Sequence, residues 1–338
     1  MFNNKTILIT GGTGNFGKNF ARYLIDNYSV KKLVIFSRDE LKHYEFNQQL
    51  GDNEVIYNVI GDIRDKERLN QAMLGIDYVI HAAALKHSVA IENNPLEAVK
   101  TNIHGVENII NAAIANNVEK VINLSSSKAC NPINLYGTTK LASDKLFVAA
   151  NNISTQTRTS FSVVRFGNIA GSTGSVLPLF KKLVSQKAKA LPITNKEMTR
   201  FWITINQAMS FVEKSFQRMQ GGEIFVPKIP TIKIIDLANA VSDNLPTEII
   251  GTKAGEKKHE LLITKDDAYI TLEFKDHYVI KPSIKFFGKN INYLQNNLSE
   301  HGINVKNGFE YNSQFNTQVL SLEEIKSLVG LKPFEHVS

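Results

Sequence analysis

Residues 5–17 read KTILITGGTGNFG, and this stretch decides the fold. Lys5 to Thr10 is a short apolar run that reads as a strand. Gly11, Gly14 and Gly17 follow, and the pattern then opens a helix reaching about Asp26. Glycines at this spacing permit a tight turn and a close approach of backbone to a pyrophosphate, which then sits on the helix N-terminus. A glycine pattern alone is a weak signal. Between a strand and a helix it has the context that a dinucleotide site requires.

Outward from this unit the same alternation repeats. Lys32 to Phe36, Val55 to Ile60, Tyr78 to His81 and Val118 to Leu124 read as further strands, with a long helix over roughly Pro95 to Asn116. Ser162 to Phe166 is a sixth. Alternating strands and helices predict an α/β protein built on a Rossmann-type doubly wound parallel sheet, with its ligand crevice at the carboxyl ends of the strands. Ala82, Ala83 and Ala84 follow the fourth strand, and their small side chains let a flat cofactor lie against backbone. At the end of the second strand, Ser37 and Arg38 stand where a cofactor with a free ribose hydroxyl usually meets an acid. This pair suits a 2′-phosphate and points to NADP over NAD. The alternative is that Arg38 pairs with Asp39 or Glu40 on the surface. After the third strand, Asp62 is placed either to accept from an adenine amino group or to cap the helix starting near Asp65.

Leu124 to Lys140 reads LSSSKACNPINLYGTTK. It leaves a strand, turns through Asn131-Pro132 and enters a helix. Tyr136 and Lys140 are four residues apart and share one face of that helix. An ammonium beside a tyrosine favours the phenolate, which can take a hydroxyl proton while a hydride leaves the same carbon. Tyr-x-x-x-Lys by itself is common by chance; its place after the fifth strand gives it meaning. Lys128, just ahead of this helix, is placed for catalysis more than as an ordinary exposed lysine. Cys130 has no evident base beside it and reads as a small packed side chain.

Beyond the sixth strand the alternation weakens. SVLPLFKKLVSQ within 171–190 reads as a helix, Met198 to Ile205 is MTRFWITI, and Glu223 to Pro227 reads as a seventh strand. Pro230 to Leu245 looks helical, and KAGEKKHELL opens another helix. The chain therefore divides into a dinucleotide domain, 1–167, to which 203–228 returns. A smaller C-terminal substrate lobe follows, made of 168–202 and 229–284, with an extension over 285–338. The extension is rich in asparagine, weakly periodic until Ser321 to Leu328, and carries no catalytic signal. No internal repeat is found.

Composition narrows the class. With 338 residues, 43% hydrophobic and 21% charged, the chain suits one large domain or two lobes of a globular protein. No apolar run approaches the roughly 18 residues of a membrane span, and the opening residues predict no signal peptide. A single cysteine excludes an internal disulfide and fits a reducing, cytoplasmic compartment. The net charge is +7, but the lysines are dispersed, without the basic stripe and interleaved aromatics of a nucleic-acid binder. No His/Cys/Asp/Glu set has metal-ligand spacing, so no metal is expected.

The chain resembles the extended short-chain dehydrogenase/reductases, and within them the inverting UDP-N-acetylglucosamine 4,6-dehydratases of pseudaminic acid and capsule polysaccharide biosynthesis. The resemblance covers nearly the whole length. It rests on TGGTGNFG, FSRDELK, GDIRD, HAAALKH, NPLEAVKTNIHG, NPINLYGTTKLASDKLF, VVRFGN, MTRFWIT, GGEIFVPKIP, GEKKHE and FKDHYVI, in this order. It implies a lyase that uses NADP internally, on a UDP-sugar, in a homo-oligomer. By resemblance Thr13, Asn15 and Phe16 lie in the cofactor loop, Asp62 and Ile63 bracket adenine, and Tyr136 with Lys140 form the redox pair. Lys128 would remove the C5 proton. Lys86 would serve both cofactor and substrate, and Asn168, Arg200, Lys253 and Glu260 would lie near the UDP-sugar. Hydride leaves C4, the ketone acidifies C5, water leaves C6, hydride returns to C6, and reprotonation inverts C5.

Three positions depart from the family. The family has aspartate before the catalytic lysine, as the acid for the leaving C6 hydroxyl; here Ser127 stands there. An arginine usual in the G-S-R-G-S stretch is Thr173, and the arginine before P-G-E-K is Lys253; lysine cannot fork a phosphate as arginine does. His87 or His259 could supply the missing acid. His81 reads as packed at a strand end, and Trp202 as lobe core. Three other readings stay open: a partial-reaction enzyme that reduces a 5,6-alkene sugar from a partner dehydratase, a non-catalytic NADP-binding paralogue, and a 4-epimerase or reductase.

Overall fold

The computed structural model describes residues 1–330 apart from Asp52, Thr155, Gln156 and Thr173. From the N-terminus, β1 (Thr6–Thr10) leads into α1 (Asn15–Asn27), β2 (Lys32–Ser37), α2 (Glu40–Leu50), β3 (Ile56–Ile60), α3 (Lys66–Ala72) and β4 (Tyr78–His81). Helices α4 (Ser88–Asn93), α5 (Pro95–Val99) and α6 (Gly105–Ala115) precede β5 (Lys120–Ser126), α7 (Leu135–Ile153) and β6 (Ser160–Phe166). Next come β7 (Asn168–Ile169), α8 (Val176–Ser185), β8 (Leu191–Ile193), β9 (Thr199–Ile203), α9 (Ile205–Arg218) and β10 (Ile224–Pro227). The rest supplies β11 (Thr231–Lys233), α10 (Ile234–Val241), β12 (Thr247–Ile249), β13 (Leu261–Ile263), β14 (Thr271–Glu273) and β15 (His277–Ile280). Strands β16 (Ile303–Asn304) and β17 (Tyr311–Asn312) and helix α11 (Leu322–Gly330) complete the described chain.

The main sheet has the order β16-β14-β15-β10-β6-β5-β4-β1-β2-β3. It is parallel from β3 to β10 and antiparallel from β10 to β16. All five residues of β1 and four of six in β2 are buried, as expected of parallel strands covered on both faces. Helix α1 packs with α9, while α3, α6 and α7 pack side by side. Strand order reverses between β1 and β4, which opens the crevice at their carboxyl ends. A second core joins Leu177, Phe180, Met198, Trp202, Ile232 and Ile325, so Trp202 packs in the small lobe and α11 closes it.

Four expectations are corrected. Pro230 to Leu245 is not one helix: Thr231–Lys233 pairs antiparallel with β9, and only Ile234–Val241 is helical. β-Branched Thr231 and Ile232 suit that pleated pairing. KAGEKKHELL opens no helix. Gly255 turns the chain in the left-handed region, φ +72°, and its carbonyl accepts from Asn134 Nδ2 at 2.8 Å. The long helix after Pro95 is interrupted by a π-helical turn, Lys100–His104. That turn aims Asn102 inward, where its amide holds both Leu85 N and Leu85 O and reaches Thr139 Oγ1. Finally, β14 and β15, placed by the sequence in the small lobe, and β16, placed in the extension, extend the main sheet instead.

A buried ion pair ties α7 to β6. Arg165 donates to Asp144 Oδ2 at 3.0 Å, Ser125 Oγ donates to the same oxygen at 2.8 Å, and Asp144 is wholly buried. Asp144→Ala would leave the Arg165 guanidinium buried without its counter-ion. The expected loss is about 3–5 kcal/mol of stability, read as a lowered denaturation midpoint in urea. A loss below about 1 kcal/mol, the range of an exposed pair, would contradict this account.

Candidate active site

The β1–α1 turn depends on missing side chains. Gly11 has φ +65°, and a Cβ there would lie 2.9 Å from Ala83 Cα; one at Gly17 would lie 2.6 Å from Gly12 Cα. The loop after β4 can therefore press against the end of β1. Gly14 caps α1 without any side-chain bond, and the first turn carries no acid. Its N–H groups are left for an anion. This cradle fits a pyrophosphate. Thr13 is buried and its hydroxyl meets Ser37 Oγ at 2.7 Å, joining the glycine turn to the end of β2. Asn15 is exposed at the start of α1, and Phe16 stacks on Phe20 and Phe166.

At the end of β2, Asp39 caps α2 by accepting from Lys42 N and pairs with Lys42 at 2.9 Å. Arg38 pairs with neither acid beside it. Its side chain is 54% exposed and faces Asp62 Oδ2 at 3.6 Å. Asp62 is gripped by Arg64 through Nε, Nη2 and the backbone N–H. Against burial, which would raise it, these bonds hold the Asp62 carboxyl below its usual range. The helix cap proposed for Asp62 belongs to Asp65, which accepts from Arg68 N. Ile63 is buried against Gly105.

The turn after β5 and the start of α7 form one compact unit. Ser126 accepts from Lys128 N at 3.3 Å, and Asn134 caps α7 by accepting from Gly137 N at 2.8 Å. A Cβ at Gly137 would sit 2.3 Å from Lys128 O, so only glycine lets α7 press against the turn that carries Lys128. Lys140 lies on the Tyr136 face but donates to Leu124 O at 2.8 Å. Burial pushes the Tyr136 phenol up to about 12, with the Ser126 hydroxyl opposing and Asp144 adding to it. Burial thus outweighs the Ser126 hydroxyl and favours the protonated phenol over the expected phenolate. Burial also lowers the Lys140 ammonium, which Asp144 opposes.

A chain of charges crosses from this unit to the small lobe. Lys128 Nζ pairs with Glu260 Oε1, which Arg200 Nε approaches at 3.4 Å, and Arg200 also lies 3.6 Å from Glu256. Burial would raise Glu260, yet Lys128 and Arg200 bring it down to about 2. Burial lowers Lys128, and Glu260 opposes it. Arg200 is buried and donates to Thr199 O and Lys258 O. Lys257 reaches over from the same loop to Cys130 O. Ser127 is wholly buried, and its hydroxyl lies close enough to help lower Glu260 without making a bond of good geometry.

The other candidates separate. Asn168 pairs in register with Trp202, while Lys253 is exposed in a turn. Lys86 is lowered by burial. His87 lies beside Gly174 on the loop after β4. His259 binds Thr199 Oγ1 through Nδ1 at 2.8 Å and faces a separate cavity of about 270 Å³ with Lys196 and Lys233. His81 bonds Thr10 Oγ1, stacks on Phe147 and is pushed by burial to about 3, so it is neutral core. Burial raises the Cys130 thiol to about 11. Thr173 lies outside the described residues. No metal-holding cluster is found among the described residues, and none of their helices is long and apolar enough to cross a membrane. Sequence reasoning passed over Asn102, Asp144 and Lys257; a polar residue inside an apolar helix was the one available signal for the first two.

Residues 7–282 match a family model described as polysaccharide biosynthesis protein. The UDP-N-acetylglucosamine 4,6-dehydratase (inverting) of Campylobacter jejuni is 54% identical over 330 residues, covering 98% of each chain. A UDP-glucose 4-epimerase of Rickettsia canadensis is 38% identical over 336 residues, covering 97% of this chain and 96% of its own. Among solved structures, Pen from Bacillus thuringiensis superposes with TM-score 0.87 at 36% identity, over 97% of this chain and 98% of its own. The dTDP-glucose 4,6-dehydratase DesIV of Streptomyces venezuelae, solved with NAD bound, has TM-score 0.66 at 18% identity, over 75% of this chain and 86% of its own. At that identity the likeness is one of fold.

Proposed function

The chain belongs to the polysaccharide biosynthesis protein family, and from that premise we propose that it is a nucleotide-sugar dehydratase of the UDP-N-acetylglucosamine 4,6-dehydratase, 5-inverting type. The observation that carries the reading is the seat of Lys128. It is held against the Tyr136 helix by Gly137 and against the small lobe by Glu260. The residues read as the redox phenol and the proton-transfer amine thus sit on one compact unit, the start of α7 and the turn before it. The 54% identity to an inverting dehydratase over nearly the whole chain supports the substrate class.

The dinucleotide, when bound, supplies the acceptor that takes hydride from C4 and gives it back at C6. The glycine turn and α1 would hold its pyrophosphate, with Ala82 and Ala83 beneath it and Ser37 and Arg38 at its ribose. Tyr136 takes the C4 hydroxyl proton, and Lys140 braces the end of β5 behind it. The C4 ketone acidifies C5, and Lys128 removes that proton. Lys128 must be neutral to do so: burial favours the neutral amine and Glu260 favours the ammonium. By resemblance, Arg200, Glu260, Asn168, Lys86 and Lys253 would take the UDP-sugar. We read 1–167 with 203–228 as the dinucleotide domain. The enzyme would work as a cytoplasmic homo-oligomer in pseudaminic acid or related polysaccharide synthesis; its one cysteine suits a reducing compartment.

Proton NMR of the purified protein with UDP-N-acetylglucosamine in heavy water tests the reading. A C6 methyl signal with deuterium at C5 is expected. Epimerisation through C4 alone would leave the C5 hydrogen in place and would sink it.

Within this reading the cofactor is NADP rather than NAD. The support is that Asp39, the acid next to Arg38 in the chain, is engaged as a helix cap, while Arg38 stands half exposed beside Ser37 with only the 3.6 Å approach to Asp62, itself held by Arg64. NADP is expected in the supernatant of the denatured protein by HPLC; NAD without NADP would refute the assignment. Arg38→Asp should weaken NADP by roughly tenfold to a hundredfold, the worth of a charge-assisted bond of about 1.5–3 kcal/mol, and leave NAD little changed.

A further inference from the structure

We propose that Ser313, in the C-terminal segment, is a positioning residue for the Lys128–Glu260 pair. Within the C-terminal extension, residues 311–313 run beside Glu260. Tyr311–Asn312 pairs with Leu261–Ile263, directly after Glu260. Tyr311 is anchored at both ends: its ring packs on Phe201 with centroids 4.6 Å apart, and its hydroxyl bonds Ile229 N and O. Asn316 holds Ile229 O and Thr231 Oγ1. Ser313, between these anchors, is 1% exposed.

Ser313 clasps the peptide of Glu260 on both sides. Glu260 N donates to Ser313 Oγ at 2.8 Å, and Ser313 N donates to Glu260 O at 2.8 Å. The same hydroxyl meets Thr199 Oγ1 at 2.7 Å, one residue before Arg200. A single side chain therefore stands behind both Glu260 and Arg200. In front, Glu260 Oε1 holds Lys128, while Glu260 Oε2 is buried without a partner. The charged groups around Lys128 come from two elements. Glu260, Glu256, Lys257 and Arg200 face it from the small lobe, and no other carboxylate among the described residues is paired with its amine. Displacing Glu260 removes the group that most favours the ammonium and leaves burial to favour the free amine. Loosening the Ser313 clasp should therefore lower the pH at which Lys128 loses its proton.

The proposal rests on Lys128 as the proton-transfer group, but its test reads Lys128 in the resting protein. Lysine labelled with carbon-13 at Cε, assigned by the signal missing in Lys128→Arg, is titrated by NMR. The Lys128 midpoint should move to lower pH in Glu260→Gln and, by less, in Ser313→Ala. Ser313→Thr, which keeps the hydroxyl, should restore it. Asn316→Ala, which loosens the same segment away from Glu260, should leave it in place. Turnover of UDP-N-acetylglucosamine by Ser313→Ala should fall on the order of tenfold, with KM changed less, as for a misplaced catalytic group. A midpoint unmoved in Ser313→Ala, or moved equally by Asn316→Ala, overturns the proposal. If Ser313→Ala does not fold, Thr199→Val removes the partner hydroxyl from the same node and is read in the same way. Midpoints that move as expected in a protein inert toward every UDP-sugar would defeat the dehydratase reading and leave the positioning role standing.

Discussion

Tyr136→Phe is expected to lower the sugar-dependent absorbance change at 340 nm on the order of 10²–10⁴-fold, the usual worth of a positioned acid–base group. The substitution removes the phenolic oxygen and keeps the ring. Packing should survive, because Gly137 and the Asn134 cap, rather than the hydroxyl, seat the first turn of α7. The phenol stands at about 12, raised first by burial. Its anion is scarce at neutral pH, so C4 oxidation should speed up from neutral to alkaline pH in the wild type and lose that dependence in Tyr136→Phe. Single-turnover absorbance across pH measures both. A variant that keeps most of its activity would remove Tyr136 from the chemistry. The loss should also be one of rate, since the ring is kept in the first turn of α7.

Ser127→Asp is expected to speed expulsion of the C6 hydroxyl on the order of 10²–10⁴-fold. On the proposed reading, Tyr136, Lys140 and Lys128 would cover C4 oxidation and C5 deprotonation. The elimination needs an acid beside O6, and a serine hydroxyl is not one at neutral pH. The structure sharpens the point. Ser127 is wholly buried, close to a carboxylate held ionised at about 2. A second carboxyl placed there would be enclosed by protein and next to like charge. Both effects raise its pKa and keep a proton on it. The wild type should therefore exchange the C5 proton readily and make the C6 methyl slowly. On the alternative partial-reaction reading, a sugar already carrying a 5,6-alkene would need no such acid: oxidation at C4 would reduce the dinucleotide and give an enone, and that hydride would add at C6 with no leaving group to protonate. Side-by-side NMR time courses of wild type, Ser127→Asp and the isosteric Ser127→Asn on UDP-N-acetylglucosamine decide the matter. Wild-type elimination as fast as C5 exchange would end the idea and turn attention to His87 or the Lys128 ammonium as the acid.

Features set by neighbours along the chain were legible from the residues. The strand–glycine–helix unit at 5–17, the Ser37-Arg38 strand end and the Tyr136–Lys140 face all follow from local spacing. Turn sterics and helix periodicity act over a few residues. The parallel sheet followed from the same logic, because buried strands and covering helices alternate in order. The errors fall where distant segments meet. KAGEKKHELL has helical composition, but Gly255 turns it so that Glu260 can reach Lys128, 132 residues away. Strands β14 to β16 give weak local signals and are made strands by the open edge of β10. Spacing puts Lys140 beside Tyr136, yet its partner is the Leu124 carbonyl, because a buried ammonium takes the nearest acceptor that burial leaves it. Ser313 carries no motif at all. Its place behind Glu260 exists only once β17 has paired with β13, since which charges share a buried space is decided by packing and not by spacing along the chain.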